Sequence, residues 1–194
     1  MGASGCLGLK EKDVNLEIGL KVATLLRQKG YDILITRFSD DFIPLCCRAE
    51  FANLCHSCGA FVSIHSNSSS NTDASGIETF CFDSSYLSLA TLPVQEKEKI
   101  CIRCKRSNLL AHMVQYNVLR VAKENKYEIV DRKVKNAKFK VLKDTVMPAA
   151  LVEVGFLSNE KEAALLDSLN YQIIVAKGIC EGIVSYFTLV ESLE

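Results

Sequence analysis

Phe61-Val62-Ser63-Ile64-His65-Ser66-Asn67 is the stretch whose reading decides the fold. Phe61, Val62 and Ile64 suit the pleated, half-buried surface of a strand, and Gly59 punctuates the approach. Ser68-Ser69-Ser70-Asn71-Thr72-Asp73 follows, and so polar a run reads only as a loop. His65 therefore stands where a strand gives way to a loop. In parallel α/β sheets that carboxyl edge is where ligands and reactive groups collect. A histidine there serves as a metal ligand, a general base or a hydrogen-bonded strand end, and this stretch alone does not choose.

Working outward, the strand is flanked by helical patterns. Glu11 to Lys29 carries Val14, Ile18, Val22, Leu25 and Leu26 along one face, with Glu11 and Asp13 at its positive end and Gly30 as a stop. Tyr31 to Arg37 reads as a strand, and Pro44 to Leu54 as a helix. Gly76 to Phe82 reads as a strand with Ile77, Thr79 and Cys81 on one side. Residues 83–106 read as a partly helical insertion or a solvated loop, followed by a helix from about Ser107 to Asn125. On that helix His112 reads as a surface residue.

Asp131 to Lys135 reads as a basic turn, and Lys138 to Leu142 as an edge strand with alternating lysines. Ala149 to Phe156 is nearly all apolar, as a central buried strand is, yet Glu153 interrupts it. A buried carboxylate is costly, so Glu153 is expected to be paired or functional. Asn159 and Glu162 have capping-box spacing before a helix, and a last helix runs from about Tyr171 to Phe187. Strands alternating with helices over 194 residues, without repeats, predict one α/β domain. Its sheet is mostly parallel or mixed, with helices on both faces.

Charge and composition narrow the function classes. Lys plus Arg (23) balances Asp plus Glu (23), so nothing points to nucleic acid or an anionic membrane. No apolar run in the sequence reaches membrane-spanning length, so no transmembrane segment is expected. Met1-Gly2-Ala3-Ser4-Gly5-Cys6 has neither the basic nor the apolar region of a signal peptide. Cys6 also stands where a myristoylation pattern starting at Gly2 wants Ser or Thr. Nine cysteines include two C-x-x-C pairs, Cys55/Cys58 and Cys101/Cys104. The 42 residues between Cys58 and Cys101 are too many for an ordinary four-thiolate zinc site. Most of the cysteines are expected to behave as small buried hydrophobes in a reducing compartment.

If the strands run parallel, Glu11, His65 and Glu153 meet at one sheet edge. Imidazole and carboxylate suit zinc, and a carboxylate that is not a ligand suits a proton acceptor for a metal-activated water. By residue type the signal is weak, because a catalytic zinc usually has three protein ligands. His56 and His112 are badly placed for a third.

These residues also carry a resemblance. Gly2-Ala3-x-Gly5-x-x-Gly8-x-x-Glu11-Lys12-Asp13 resembles the first signature of the zinc-dependent N-acetylmuramoyl-L-alanine amidases, the Amidase_3 family. Arg48-x-x-x-Ala52-Asn53, Ser63-Ile64-His65-Ser66-Asn67, Gly76-Ile77-Glu78-Thr79 and Pro148 to Asn159 match further segments in order. The resemblance implies that Glu11 and His65 are zinc ligands and Glu153 the catalytic glutamate. It implies structural or substrate-positioning roles for Arg48 and Asn67. The implied substrate is peptidoglycan, cut between the lactyl group of N-acetylmuramic acid and the first L-alanine of the stem. The implied location is the cell envelope, periplasmic or extracellular, with an activator protein left open.

The family's first strand and its His-Gly-Gly motif, source of the third zinc ligand, are absent from residues 1–194. The chain is thus expected to be an N-terminally truncated amidase catalytic domain that holds zinc weakly. Two other readings compete: a catalytically impaired peptidoglycan-binding relative or truncated gene product, and a thiol-based metal or redox module built on the C-x-x-C pairs.

Overall fold

Period-two burial along Ala149–Phe156 (β4) organises the molecule. Ala150, Val152 and Val154 enter the main core, while Ala149 and Leu151 join a smaller cluster with Phe82, Cys104, Val141 and Leu142. Successive strand residues face opposite sides of a sheet, so β4 is covered on both faces. Glu153 falls in step with Ala149 and Leu151, on the face away from the main core. The computed structural model describes residues 3–88 and 90–192; Gly2, which opens the glycine-rich motif, lies outside the described residues.

β4 is flanked by Phe61–Asn67 (β1), Ile77–Cys81 (β2) and Asp131–Asn136 (β3) in the order β1-β4-β2-β3. β1 runs parallel to β4, β2 antiparallel to β4, and β3 parallel to β2, so the sheet is mixed. The main core lies under Glu11–Gln28 (α1), Val94–Glu124 (α3) and Leu169–Glu191 (α6). On α1 Val14, Ile18, Val22 and Leu26 of the predicted stripe are buried, and Leu25 is half-buried. Each such side chain contributes about 1.5–3 kcal/mol relative to exposure. Leu45–Asn53 (α2) and Lys140–Asp144 (α4) pack together, with α4 against β4 on the opposite face. Glu160–Asp167 (α5) follows β4.

α6 lies very close to α3. A Cβ on Gly178 would come within 2.5 Å of Val118 Cα, and one on Gly182 within 2.6 Å of Val114 Cα. By length and apolar content α6 is long enough to cross a membrane, contrary to the expectation of no such apolar run. It is a core helix here, with Ile174, Ile179 and Ile183 buried as expected and α3 and α1 packed against it.

Four local expectations are corrected. Tyr31 to Arg37 is not a strand and takes no sheet pairing. Strand propensity is expressed only beside another strand, and among the described residues β1 pairs with β4 alone. The helix expected from about Ser107 begins at Val94, right after Pro93, so residues 83–106 are partly helical as expected but their second half belongs to α3. The basic run at Asp131 is edge strand β3, and Lys138 to Leu142 turns into α4 instead of a strand. Val141 and Leu142 are both buried in one cluster, which a strand would have placed on opposite faces.

The cysteines also depart from expectation. Cys55 and Cys58 form a disulfide, which removes them as thiolate ligands. Of the other seven, Cys81, Cys104 and Cys180 are buried, Cys6, Cys47 and Cys101 half-buried, and Cys46 exposed. The rule of small buried hydrophobes therefore holds for only three of the nine.

Candidate active site

The carboxyl end of β1 and the start of α1 bring Glu11 and His65 together. Glu11 is the first residue of α1, where the helix dipole favours an anion. Its Oε1 lies 2.7 Å from His65 Nδ1 and 3.2 Å from Asn15 Nδ2, and its Oε2 accepts the Ala3 N–H at 2.9 Å. Burial alone would raise the Glu11 pKa. The hydrogen bonds from His65, Ala3 and Asn15 and the charge of His65 outweigh it and lower the value to about 2. Glu11 is therefore an anion at neutral pH.

Glu153 sits beside this pair for a topological reason. Its Cα is in register with His65 on one side and with Glu78 of β2 on the other. Paired residues share a face, so the three side chains form a row across the sheet. Glu153 Oε2 is buried with no hydrogen-bond partner among the described residues. Burial raises its pKa to about 7; His65 lowers it, while the charges of Glu11 and Glu78 add to the rise. One carboxylate is thus held ionised and its neighbour is poised to exchange a proton near neutrality. That division of labour is typical of acid–base sites.

Imidazole and carboxylate are zinc donors, so the chemistry of the Glu11–His65 pair fits two positions of a metal site. Among the described residues, no group of three His, Cys, Asp or Glu side chains converges to complete one. His112 is exposed on α3, with Nδ1 2.9 Å from the Asn108 carbonyl, as a surface residue should be.

Arg48, on α2, lines the cavity shared with Glu11 and His65, and its Nε donates to the Ile43 carbonyl at 3.0 Å. Asn67 ends β1; its Nδ2 donates to Glu78 Oε1 at 2.9 Å and its carbonyl accepts the Leu157 N–H at 2.7 Å. The cavity holds about 1860 Å3 and opens between α1, α2, residues 31–37 and the edge of β1 that β4 leaves free.

Sequence reasoning assigned no role to Glu78, Arg132 or Lys135. Glu78 is buried and accepts from Arg132 Nε at 3.0 Å and from Lys135 Nζ. The available signal was the one used for Glu153, a carboxylate inside an apolar strand. The capping box is likewise only half formed. Asn159 Oδ1 accepts from the Lys161 and Glu162 N–H groups, but Glu162 turns away to accept from Gly76 and Phe156.

A family model described as N-acetylmuramoyl-L-alanine amidase matches residues 1–185. The chain belongs to this amidase family. The family's AmiA from Escherichia coli K12 is 32% identical over 207 residues, covering 96% of this chain and 71% of that protein. The structure of the family amidase AmiC2 of Nostoc punctiforme superposes with a TM-score of 0.79 at 34% identity, covering 96% of this chain and 89% of that one. CwlD of Clostridioides difficile, solved in complex with the GerS lipoprotein, gives a TM-score of 0.80 at 28% identity, covering 97% and 92%.

Proposed function

We propose that this chain hydrolyses the amide between N-acetylmuramic acid and L-alanine in peptidoglycan, with zinc held by Glu11 and His65. The observation that carries the reading is the row His65–Glu153–Glu78, in which Glu153 keeps a buried, unpartnered oxygen beside the ionised Glu11. When bound, zinc would acidify a water and polarise the scissile carbonyl. Glu153 would accept a proton from the attacking water and return one to the leaving amine, and a pKa near neutrality suits both transfers. Arg48 and Asn67 position the site: Arg48 by holding the loop at Ile43, Asn67 by tying the end of β1 to Glu78.

The large cavity bears on the metal. A further strand between residues 31–37 and the free edge of β1 would pair with β1 and give residues 31–37 a partner. It would end at the level of Glu11 and His65 and bring the third ligand. In this reading residues 1–194 lack that strand and hold zinc weakly, because lost ligands cost metal affinity. Work on peptidoglycan places the protein in the cell envelope. A second polypeptide seated on the domain is a candidate for its control, supported by the CwlD–GerS complex.

Purified peptidoglycan incubated with the chain and zinc is expected to release stems with a free L-alanine amine, read by mass spectrometry. Glu153→Gln should slow that release by roughly 100-fold or more. Cleavage at any other bond, or an unaffected Glu153→Gln variant, contradicts the proposal. Fast turnover by residues 1–194 alone contradicts the missing-ligand part.

A further inference from the structure

The row across the sheet does not end at Glu78. One strand further out, β3 carries Arg132 and Lys135, and both reach back to the same Glu78 oxygen, Oε2. Two cations share the Glu78 carboxylate, and the charge of Glu162 also reaches Arg132. The neighbouring Asp131 is taken by Lys133 and Gln115 instead. Glu153, the next carboxyl group along, lacks a hydrogen-bond partner at Oε2 among the described residues.

Arg132 is also fixed in orientation. Its Nε is held by Glu78 at 3.0 Å, and its guanidinium carbon lies 4.8 Å from the centroid of the Phe156 ring. Its Nη1 makes one long contact, 3.5 Å to the Ser75 carbonyl, and Nη2 has no partner among the described residues. A guanidinium pinned by one edge and stacked on a ring presents the rest of its fork at little entropic cost. The Arg132 and Lys135 side chains are 33% and 41% exposed, so solvent and ligand reach both.

We propose that Arg132 and Lys135 form a carboxylate subsite that reads the stem peptide of the substrate, beside Glu153 on the same sheet face. This rests on the amidase reading and deepens it by naming what is recognised. The spacing selects which carboxylate. Neighbouring strands lie about 4.8 Å apart and a peptide advances about 3.4 Å per residue. Arg132 and Lys135 reach back from β3 to Glu78, one strand spacing of about 4.8 Å from Glu153, so their charges meet a carboxylate on the residue after the L-alanine. In peptidoglycan that residue is a γ-linked D-glutamate, whose α-carboxylate is free in some stems and amidated in others. The subsite favours the free acid.

The test is equilibrium binding of two product peptides to the full chain: L-Ala-γ-D-Glu-L-Lys and its α-amide. Neither is cleaved by an amidase, so binding is read without turnover. The acid is expected to bind roughly tenfold more tightly, as suits a charge-assisted hydrogen bond. Arg132→Gln should erase that ratio and Lys135→Gln should reduce it, with amide affinity left nearly unchanged. If the two cations only neutralise Glu78, each substitution shifts both peptides equally and the ratio survives. That result overturns the proposal, as does equal binding of acid and amide to the unsubstituted chain. Should Arg132→Gln fail to fold, Lys135→Gln and the salt dependence of the ratio carry the test. Equal binding alongside intact amide hydrolysis sinks the subsite alone; no binding of either peptide and no hydrolysis sinks both readings.

Discussion

Glu153 owes its chemistry to what it lacks. The residue is half-buried, its Oε2 is sealed from solvent with no hydrogen-bond partner among the described residues, and carboxylates flank it, so its proton is retained to about pH 7. In the metal-free chain this is also a stability statement. The folded pKa stands above the ordinary 4.5 of a glutamate, so the native state binds the proton more tightly than the unfolded chain does. Stability is full below about pH 4.5 and declines as pH rises towards about 7. The loss above that range is on the order of 3 kcal/mol. Glu153→Gln removes the charge but brings an amide that also wants partners. The metal-free variant should therefore gain about 1–2 kcal/mol at pH 8 and little at pH 4, measured by urea unfolding at both values. A gain confined to pH 4 contradicts the account. Glu153 was legible in the sequence because a charge inside an apolar strand is conspicuous. Glu78 was overlooked because its partners, Arg132 and Lys135, are 54 and 57 residues away in the chain.

At the scale of elements, the readings that held are those in which local pattern and tertiary environment agree. The α1 stripe, the alternation of β2 and the apolar run of β4 all bury the residues their periods predict. Those that failed are segments whose state depends on a neighbour. Tyr31 to Arg37 has strand-forming residues but no strand beside it among the described residues. The lysine alternation at Lys138 and Lys140 imitates an edge strand, while burial of the adjacent Val141 and Leu142 selects a helical turn. The approach of α6 to α3 was also hidden, since glycines inside a helix read only as weak helix formers. Gly178→Ala should gain up to about 1 kcal/mol in helix propensity. The new methyl would collide with the backbone of Val118, and overpacking costs typically 1–3 kcal/mol. A net drop in thermal midpoint is expected for Gly178→Ala and for Gly182→Ala. By contrast Gly19→Ala, on α1 with open space around it, should leave stability unchanged or raised. Equal effects at the three positions contradict the packing argument.

At the scale of the molecule, the sheet gathers its reactive groups along one row, from His65 on β1 through Glu153 and Glu78 to the cations of β3. The cavity lies at the other side of β1. The Cys55–Cys58 disulfide borders the same cavity, and its two sulfurs are bonded to each other. The central claim is that Glu11 and His65, and not the cysteines, hold zinc. It is tested by titrating zinc into residues 1–194 against a chelating indicator, alongside Glu11→Gln, His65→Ala and Cys55→Ser. One weak site is expected, weakened at least roughly tenfold further by either of the first two substitutions and unchanged by the third. Zinc affinity that survives His65→Ala, or is lost with Cys55→Ser, would contradict it.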